Sequence, residues 1–216
     1  MHGMNNETDL SRIIRDAVCL KNFDTPGTRL AMSPLGRIPQ RPAGLPGEPR
    51  CGAVLIVLFE ETQRLHGILI KRCDNLRYHP GQISFPGGRR EKDENPLACA
   101  LRETREEIGI EPEALDVAGS LDPAYILASD FYIHAFVAWH SGIPVCTPDP
   151  REVAAIIPVP LDLLCTPGAR THELKNIRGT VHKVPGFSFL EHHIWGATAI
   201  LLHEIIERLK MAGWQG

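Results

Sequence analysis

The chain has 216 residues, 43% of them hydrophobic and 23% charged, with a formal net charge of −3 at pH 7. That balance suits one globular domain with appendages, long enough to bury a sizeable core. It excludes a global basic field of the kind that recruits nucleic acid, and no apolar run is long enough to span a membrane.

Residues 9–20 (DLSRIIRDAVCL) read as a short amphipathic helix with Leu10, Ile13, Ile14, Ala17 and Val18 near one face. From Thr25 to Pro49 six prolines and four glycines break all periodicity. Residues 1–49 are therefore read as an amino-terminal helix and irregular arm, and 50–216 as the main domain. Six cysteines, Cys19, Cys51, Cys73, Cys99, Cys146 and Cys165, lie far apart with no C-x-x-C pair. The first twenty residues lack the uninterrupted apolar stretch of a secretory signal. Reduced thiols and a cytoplasmic location are the expectation.

From Gly52 the pattern changes. AVLIVLF (53–59) reads as a buried strand, turning at 60–64 into a second, HGILIK (66–71). QISF (82–85) is a short strand running into Pro86-Gly87-Gly88, and a helix is predicted from Pro96 to Ile108. Strands are expected over 114–121, 131–139 and 152–159, then a short helix near 161–165. Two or three weaker strands lie between 171 and 189, and a closing helix covers about 196–211. Strands of both kinds around few helices predict an α/β sandwich with a mixed sheet.

The 96–108 helix carries the chemistry. Asn95 is a good N-cap, Pro96 fits the first helical position, and Gly109 suits a left-handed stop. Leu97, Leu101, Thr104 and Ile108 share one seam, which faces a core. Glu103, Glu106 and Glu107 stand at i, i+3 and i+4, and at 100° per residue they fall roughly opposite that seam. Like charges so spaced repel, and the helix dipole is negative at that end. Arg102 and Arg105 offset part of this. A bound divalent cation turns such a cluster into a site, because hard cations favour several carboxylate oxygens. Alone, three glutamates on a helix more often mark a solvated face.

They are not alone. Gly88, Glu94, Arg102, Glu103, Glu106, Glu107 and Gly109 stand at the spacing G-x5-E-x7-R-E-U-x-E-E-x-G-U, with Ile110 at the last position. A chance match to seven specified positions is on the order of one in a million. The segment resembles the Nudix box, departing from it at Thr104, where an aliphatic residue is usual. The resemblance implies a Nudix-type α/β/α sandwich and a loop–helix–loop that holds Mg²⁺ or Mn²⁺ against a diphosphate. By matched position Glu103 and Glu107 are the principal metal ligands and Glu106 an additional one. Glu94 has a weaker, indirect role, and Arg102 orients a carboxylate. Gly87 and Gly88 let the backbone approach metal or phosphate, and as a tight turn they would read the same way. Which glutamate is the general base is left open.

The stretch ILIKRCDNLRYHPGQISFPGG (68–88) is similar to the signature of the coenzyme A pyrophosphatase branch, matching at Arg77, Gly81, Phe85, Pro86, Gly87 and Gly88. Ile70 and Cys73 depart from it. IWGATA (194–199) and PREVAAIIPVPLDLL (150–164) resemble later parts of that branch, so the likeness covers about residues 50–210. It implies hydrolysis of coenzyme A or its thioesters to 3′,5′-ADP and 4′-(acyl)phosphopantetheine. The alternatives are a Nudix diphosphatase acting on ADP-ribose, NADH, dinucleoside polyphosphates or nucleoside triphosphates, and a non-catalytic nucleotide-binding sensor. Coenzyme A carries a 3′-phosphate, for which Lys71, Arg72 and Arg77 are candidate partners, each equally readable as a surface base. His79 could bond phosphate or be a polar turn residue. His192 and His193 read as packing or capping residues and Trp195 as core. The partner implied is a small nucleotide-like diphosphate, with no nucleic acid and no membrane, and a homodimer is compatible with the sequence.

Overall fold

The computed structural model describes residues 9–33, 36, 39–127, 130–177 and 179–216. Residues 1–8 and positions 34, 35, 37 and 38 of the expected arm lie outside the described residues, as do 128, 129 and 178.

Helix α1 spans Asp9–Val18 and ends two residues earlier than predicted. The Pro/Gly-rich stretch holds a helix that the sequence pattern did not suggest, α2 (Thr25–Leu30). Its first turn is stabilised by Asp24, whose Oδ1 accepts from the Gly27 N–H at 2.9 Å, and by Pro26 at the helix start.

Strand β1 (Arg50–Glu61) is longer than expected. It turns at Thr62-Gln63, both at positive φ, into β2 (Arg64–Arg72), with Glu61 opposite Arg64. The short β3 (Ile83–Ser84) follows. Gly87–Arg89, where the two glycines read equally as a tight turn, forms strand β4 paired antiparallel with β1. Helix α3 (Pro96–Ile108) matches its prediction. Next come β5 (Leu115–Ser120), β6 (Ala124–Ile126), β7 (Phe131–His140) and β8 (Val153–Pro160). After a 3₁₀ turn at Leu161–Cys165, β9 (Arg170–Ile177), β10 (Thr180–Phe189) and β11 (His192–Trp195) form a three-stranded antiparallel sheet. Helix α4 (Gly196–Met211) closes the chain.

The main sheet has eight strands along the path β3-β2-β1-β7-β5. Strand β4 also pairs with β1, β6 with β7 and β8 with β2. The β1–β7 pairing is parallel and the others are antiparallel, so the sheet is mixed. Side chains alternate across it with the period of two that strands impose. Ala53, Leu55, Val57 and Phe59 of β1 pack toward α3 with Cys99, Ala100 and Ile108. Ile56 and Leu58 face the other way, into a core built with Leu201, Leu202, Ile205 and Leu209 of α4 and Ile14 and Ala17 of α1. Burying each such aliphatic side chain is worth about 1.5–3 kcal/mol. The result is the mixed-sheet α/β sandwich that the pattern predicts, in the α/β/α layering that the resemblance implies.

Two expectations are corrected. The buried stripe of α3 is Cys99, Ala100, Thr104, Glu107 and Ile108, and Leu97 and Leu101 are only half-buried. The helix is therefore rotated toward its carboxylates, with Glu107 on the packed side. Trp195 is half-buried rather than core, with the Lys175 ammonium 5.5 Å from its ring centre.

Candidate active site

Helix α3 is fixed at both ends by its own sequence. Asn95 Oδ1 accepts from the Leu97 N–H at 2.9 Å, and Gly109 takes the left-handed conformation at φ 73°. The last carbonyls of the helix are then satisfied from a distant loop: Thr147 N–H donates to Ile108 O at 2.8 Å and Asp149 N–H to Glu107 O at 3.0 Å. That cap brings the start of β8 beside the helix. Glu103, Glu106, Glu107, Asp149, Arg151 and Glu152 consequently line one cleft of about 180 Å³.

The glycines before the helix are close-approach positions. A Cβ on Gly88 would lie 2.3 Å from Glu103 Cδ, and one on Gly87 would lie 2.3 Å from the Ala53 carbonyl oxygen. Only residues without a side chain let β4 sit between β1 and the carboxylates.

Each carboxylate is held. Glu107, only 2% exposed, accepts from the Gly87 N–H at 2.8 Å and from Arg72 Nη1 at 3.2 Å. Burial pushes its pKa up to about 7. The Gly87 N–H and Arg72 oppose that rise, and Glu103 and Glu152 add to it. Burial also raises Glu103, against the hydrogen bond that it accepts from Arg102. Arg102 grips Glu94 through Nε (2.8 Å) and Nη2 (3.1 Å), while its Nη1 reaches Glu103 (2.9 Å) and Glu106 (3.0 Å). This fork holds Glu94 down at about 2.

Glu152 and Asp149 were missed by the sequence reading, because they stand more than forty residues beyond the helix and only its C-terminal cap brings them near. Asp149 is held at about 2 by the Arg151 guanidinium, through 2.6 and 3.0 Å contacts. The other sequence candidates lie elsewhere. Arg77 is exposed on the 74–81 turn, 5.4 Å over the Tyr78 ring. His79, also exposed, sits at φ 54° with Nδ1 3.0 Å from Gln82 Oε1. Lys71 stands on β2 opposite Ile83 and Ala155.

The cleft's donors are all hard carboxylate oxygens, in excess over the one arginine that lines it, and this chemistry suits Mg²⁺ or Mn²⁺. Among the described residues no three such groups already converge at ligating distance. Glu103 and Glu106 are turned to Arg102, and Glu107 to Gly87 and Arg72.

A second hollow, of about 190 Å³, lies between the sheet edge and α4. Pro39, Gln40, Tyr125, Tyr132, Ala197 and Ile200 line it, with Arg29 in its wall. The rings of Tyr125 and Tyr132 lie 5.1 Å apart. Tyr132 pairs with Cys51, whose carbonyl accepts from the Arg90 N–H, so two strand spacings, about 10 Å, separate it from the backbone just after Gly88.

An α/β/α sandwich with a carboxylate-lined loop–helix–loop defines the class. The NUDIX domain model matches residues 49–178, and the chain belongs to the Nudix hydrolase family. It is 38% identical over 163 residues to an uncharacterized Nudix hydrolase NudL of Cronobacter sakazakii, covering 72% of this chain and 81% of that one. It is 32% identical over 185 residues to the mitochondrial Nudix hydrolase 15 of Arabidopsis thaliana, covering 82% of this chain but only 62% of that longer protein. A MutT/nudix family protein from Enterococcus faecalis shares the fold with a TM-score of 0.56 at 15% identity, over 80% of this chain and 66% of that one. Among the described residues no helix is long and apolar enough to cross a membrane.

Proposed function

We propose that the protein hydrolyses the diphosphate bond of coenzyme A or its thioesters, releasing 3′,5′-ADP and 4′-(acyl)phosphopantetheine. The observation that carries hydrolysis is the gathering of Glu103, Glu106, Glu107 and Glu152 into one cleft beside the Gly87-Gly88 strand. Mg²⁺ or Mn²⁺ bound by these carboxylates would neutralise diphosphate charge and lower the pKa of a coordinated water. Glu103, Glu106 and Glu107 are the proposed ligands. Arg102 holds Glu94, Glu103 and Glu106 in place. Glu152, which makes no ion pair at salt-bridge distance among the described residues although its charge acts on Arg151, is suited to accept the proton of the attacking water. The Tyr-lined hollow is suited to the nucleoside part of the same substrate, since aromatic rings stack on a base and the Tyr132 backbone stands two strand spacings, about 10 Å, from the backbone just after Gly88.

Coenzyme A as the substrate rests on the 68–88 segment. Arg77 is exposed and has no carboxylate partner among the described residues, so it is free to meet a 3′-phosphate, whereas Arg72 is engaged with Glu107. A panel of coenzyme A, dephospho-coenzyme A, ADP-ribose, NADH and a dinucleoside polyphosphate, assayed with Mg²⁺, tests the reading. Coenzyme A should be the fastest. Loss of the 3′-phosphate removes a charge-assisted contact of about 1.5–3 kcal/mol, or roughly a ten- to hundredfold drop in kcat/KM. Arg77→Ala should erase that difference. Faster cleavage of ADP-ribose or NADH would leave the diphosphatase standing and overturn the choice of substrate. Tight binding without turnover of any of them would indicate a sensor.

A further inference from the structure

The Tyr-lined hollow is not built from the matched domain alone. Arg29, Pro39 and Gln40 precede that domain, and Ala197 and Ile200 follow it. Arg29 is 8% exposed and its guanidinium is fully engaged. Nε donates to Glu204 at 2.6 Å, Nη1 to the Pro123 carbonyl at 3.0 Å and Nη2 to the Asp122 carbonyl. Those two carbonyls lead directly into β6, the strand that carries Tyr125. Glu204, on α4, has no exposed side-chain surface and also accepts from Arg208 Nε at 3.0 Å.

Tyr125 of β6 is also held, through Asp130, by a second arginine from the same amino-terminal segment. Arg41 donates to Asp130 through Nε (3.0 Å) and Nη2 (3.3 Å), and Asp130 also accepts from the Tyr125 hydroxyl at 2.8 Å. Arg41 is itself tied down by the Leu45, Pro46 and Gly47 carbonyls. A three-residue strand paired with β7 is thus fastened by Arg29 at the carbonyls that lead into it and by Arg41, through Asp130, at the Tyr125 hydroxyl. A short edge strand has little internal reason to hold one position. Two planar guanidinium forks, each satisfied by several oxygens, supply that reason.

We infer that the segment ahead of the Nudix domain is a working part of the substrate pocket, and that Arg29 and Arg41 are positioning residues which set the Tyr125 wall where the nucleoside part of the substrate binds. The inference rests on the substrate reading above. It predicts that loosening β6 weakens binding without touching the chemistry at Glu103 and Glu107.

The test uses the full chain and whichever diphosphate the wild type cleaves best. Arg41→Ala removes the outer clamp, and Tyr125→Phe removes only the hydroxyl that reaches Asp130. Arg29→Ala is the stronger but riskier variant, since it leaves Glu204 with one partner. Arg12→Ala, at an exposed pair with Asp9, is the control. Arg41→Ala should raise KM about tenfold and Tyr125→Phe about threefold, with kcat within about twofold of wild type. Calorimetric binding of 3′,5′-ADP should weaken in the same order. A purely structural role would lower the melting temperature and leave KM and product affinity unchanged in the folded protein, and that result overturns the inference. A wild type that cleaves nothing in the panel overturns the substrate reading and this inference with it.

Discussion

Two regions of this molecule crowd charge around arginine, and they do so to opposite ends. In and around the cleft, Glu94, Glu103, Glu106, Glu107, Glu152 and Asp149 outnumber Arg72, Arg102 and Arg151, and Glu107 is forced up to about 7 by burial. Under the amino-terminal segment a single buried carboxylate, Glu204, sits between Arg29 and Arg208. Backbone carbonyls and the Thr25 hydroxyl take up the remaining donors. The second arrangement is complete as it stands. The first carries a surplus of negative charge, which a bound cation or a proton on Glu107 would relieve. A charge cluster is therefore a fastening when its hydrogen bonds close on themselves, and a site when they do not.

The largest effect that would break this contrast is on stability. Glu204→Ala leaves two buried guanidinium groups without their anion and should cost about 3–5 kcal/mol in denaturant unfolding. Glu107→Gln, equally buried, should cost little or nothing in EDTA at pH 8. Its folded pKa lies above its unfolded one, so the fold disfavours the charge that the substitution removes. If both variants lose the same stability, the cleft is a structural network like the other.

Activity should divide the other way. Glu103→Gln and Glu107→Gln should each lower kcat roughly 10²-fold or more, as expected when a metal ligand is lost. Glu94→Gln should cost less, since Glu94 touches Arg102 rather than the cleft. Steady-state kinetics on folded variants decides this, and wild-type rates at Glu103→Gln would reduce the box to scaffold. Binding of Mg²⁺ or Mn²⁺ should raise the melting temperature. The expected stabilisation is about 2.7 kcal/mol at a hundredfold excess over Kd, with no shift from Na⁺ at equal ionic strength.

What the sequence made legible follows from how local each signal is. The α3 helix with its Asn95 and Gly109 ends, the β1–β2 hairpin and α4 are each specified by neighbours a few residues away, and the structure has them where periodicity and caps put them. Helix α2 was missed because six residues beginning Thr-Pro-Gly show no period, and its place is set by Arg29 meeting Glu204, 175 positions later. The rotation of α3 was missed because a pattern count treats every glutamate as solvent-facing. Glu107 is buried because the Gly87 N–H and Arg72 receive it. Asp149 and Glu152 look like ordinary residues of a turn until the helix carbonyls draw that turn in. The acid-rich spacing of the box was visible, but the closure of the cleft around it depends on contacts made across the fold.

The last expected effect concerns a third buried group that belongs to neither cluster. His203, on α4, is 4% exposed, lies 3.2 Å from Arg170 Nη2 and packs near the Phe187 ring. Burial first, then the positive charge of Arg170, lowers its pKa from 6.5 to about 4, against a weaker pull upward from Glu207. Between pH 4 and 6.5 the unfolded chain therefore binds a proton at this position that the folded chain refuses. Stability from His203 is complete above about 6.5 and drains away as the pH falls toward 4. Glu107 works in the opposite sense over pH 4.5–7 when no metal is bound, so the two partly cancel in the wild type. Comparing His203→Gln with wild type isolates the histidine: the gap between their unfolding free energies should shrink steadily as the pH is lowered from 7 to 4. A gap that stays constant across that range would show that His203 titrates in the fold as it does in water.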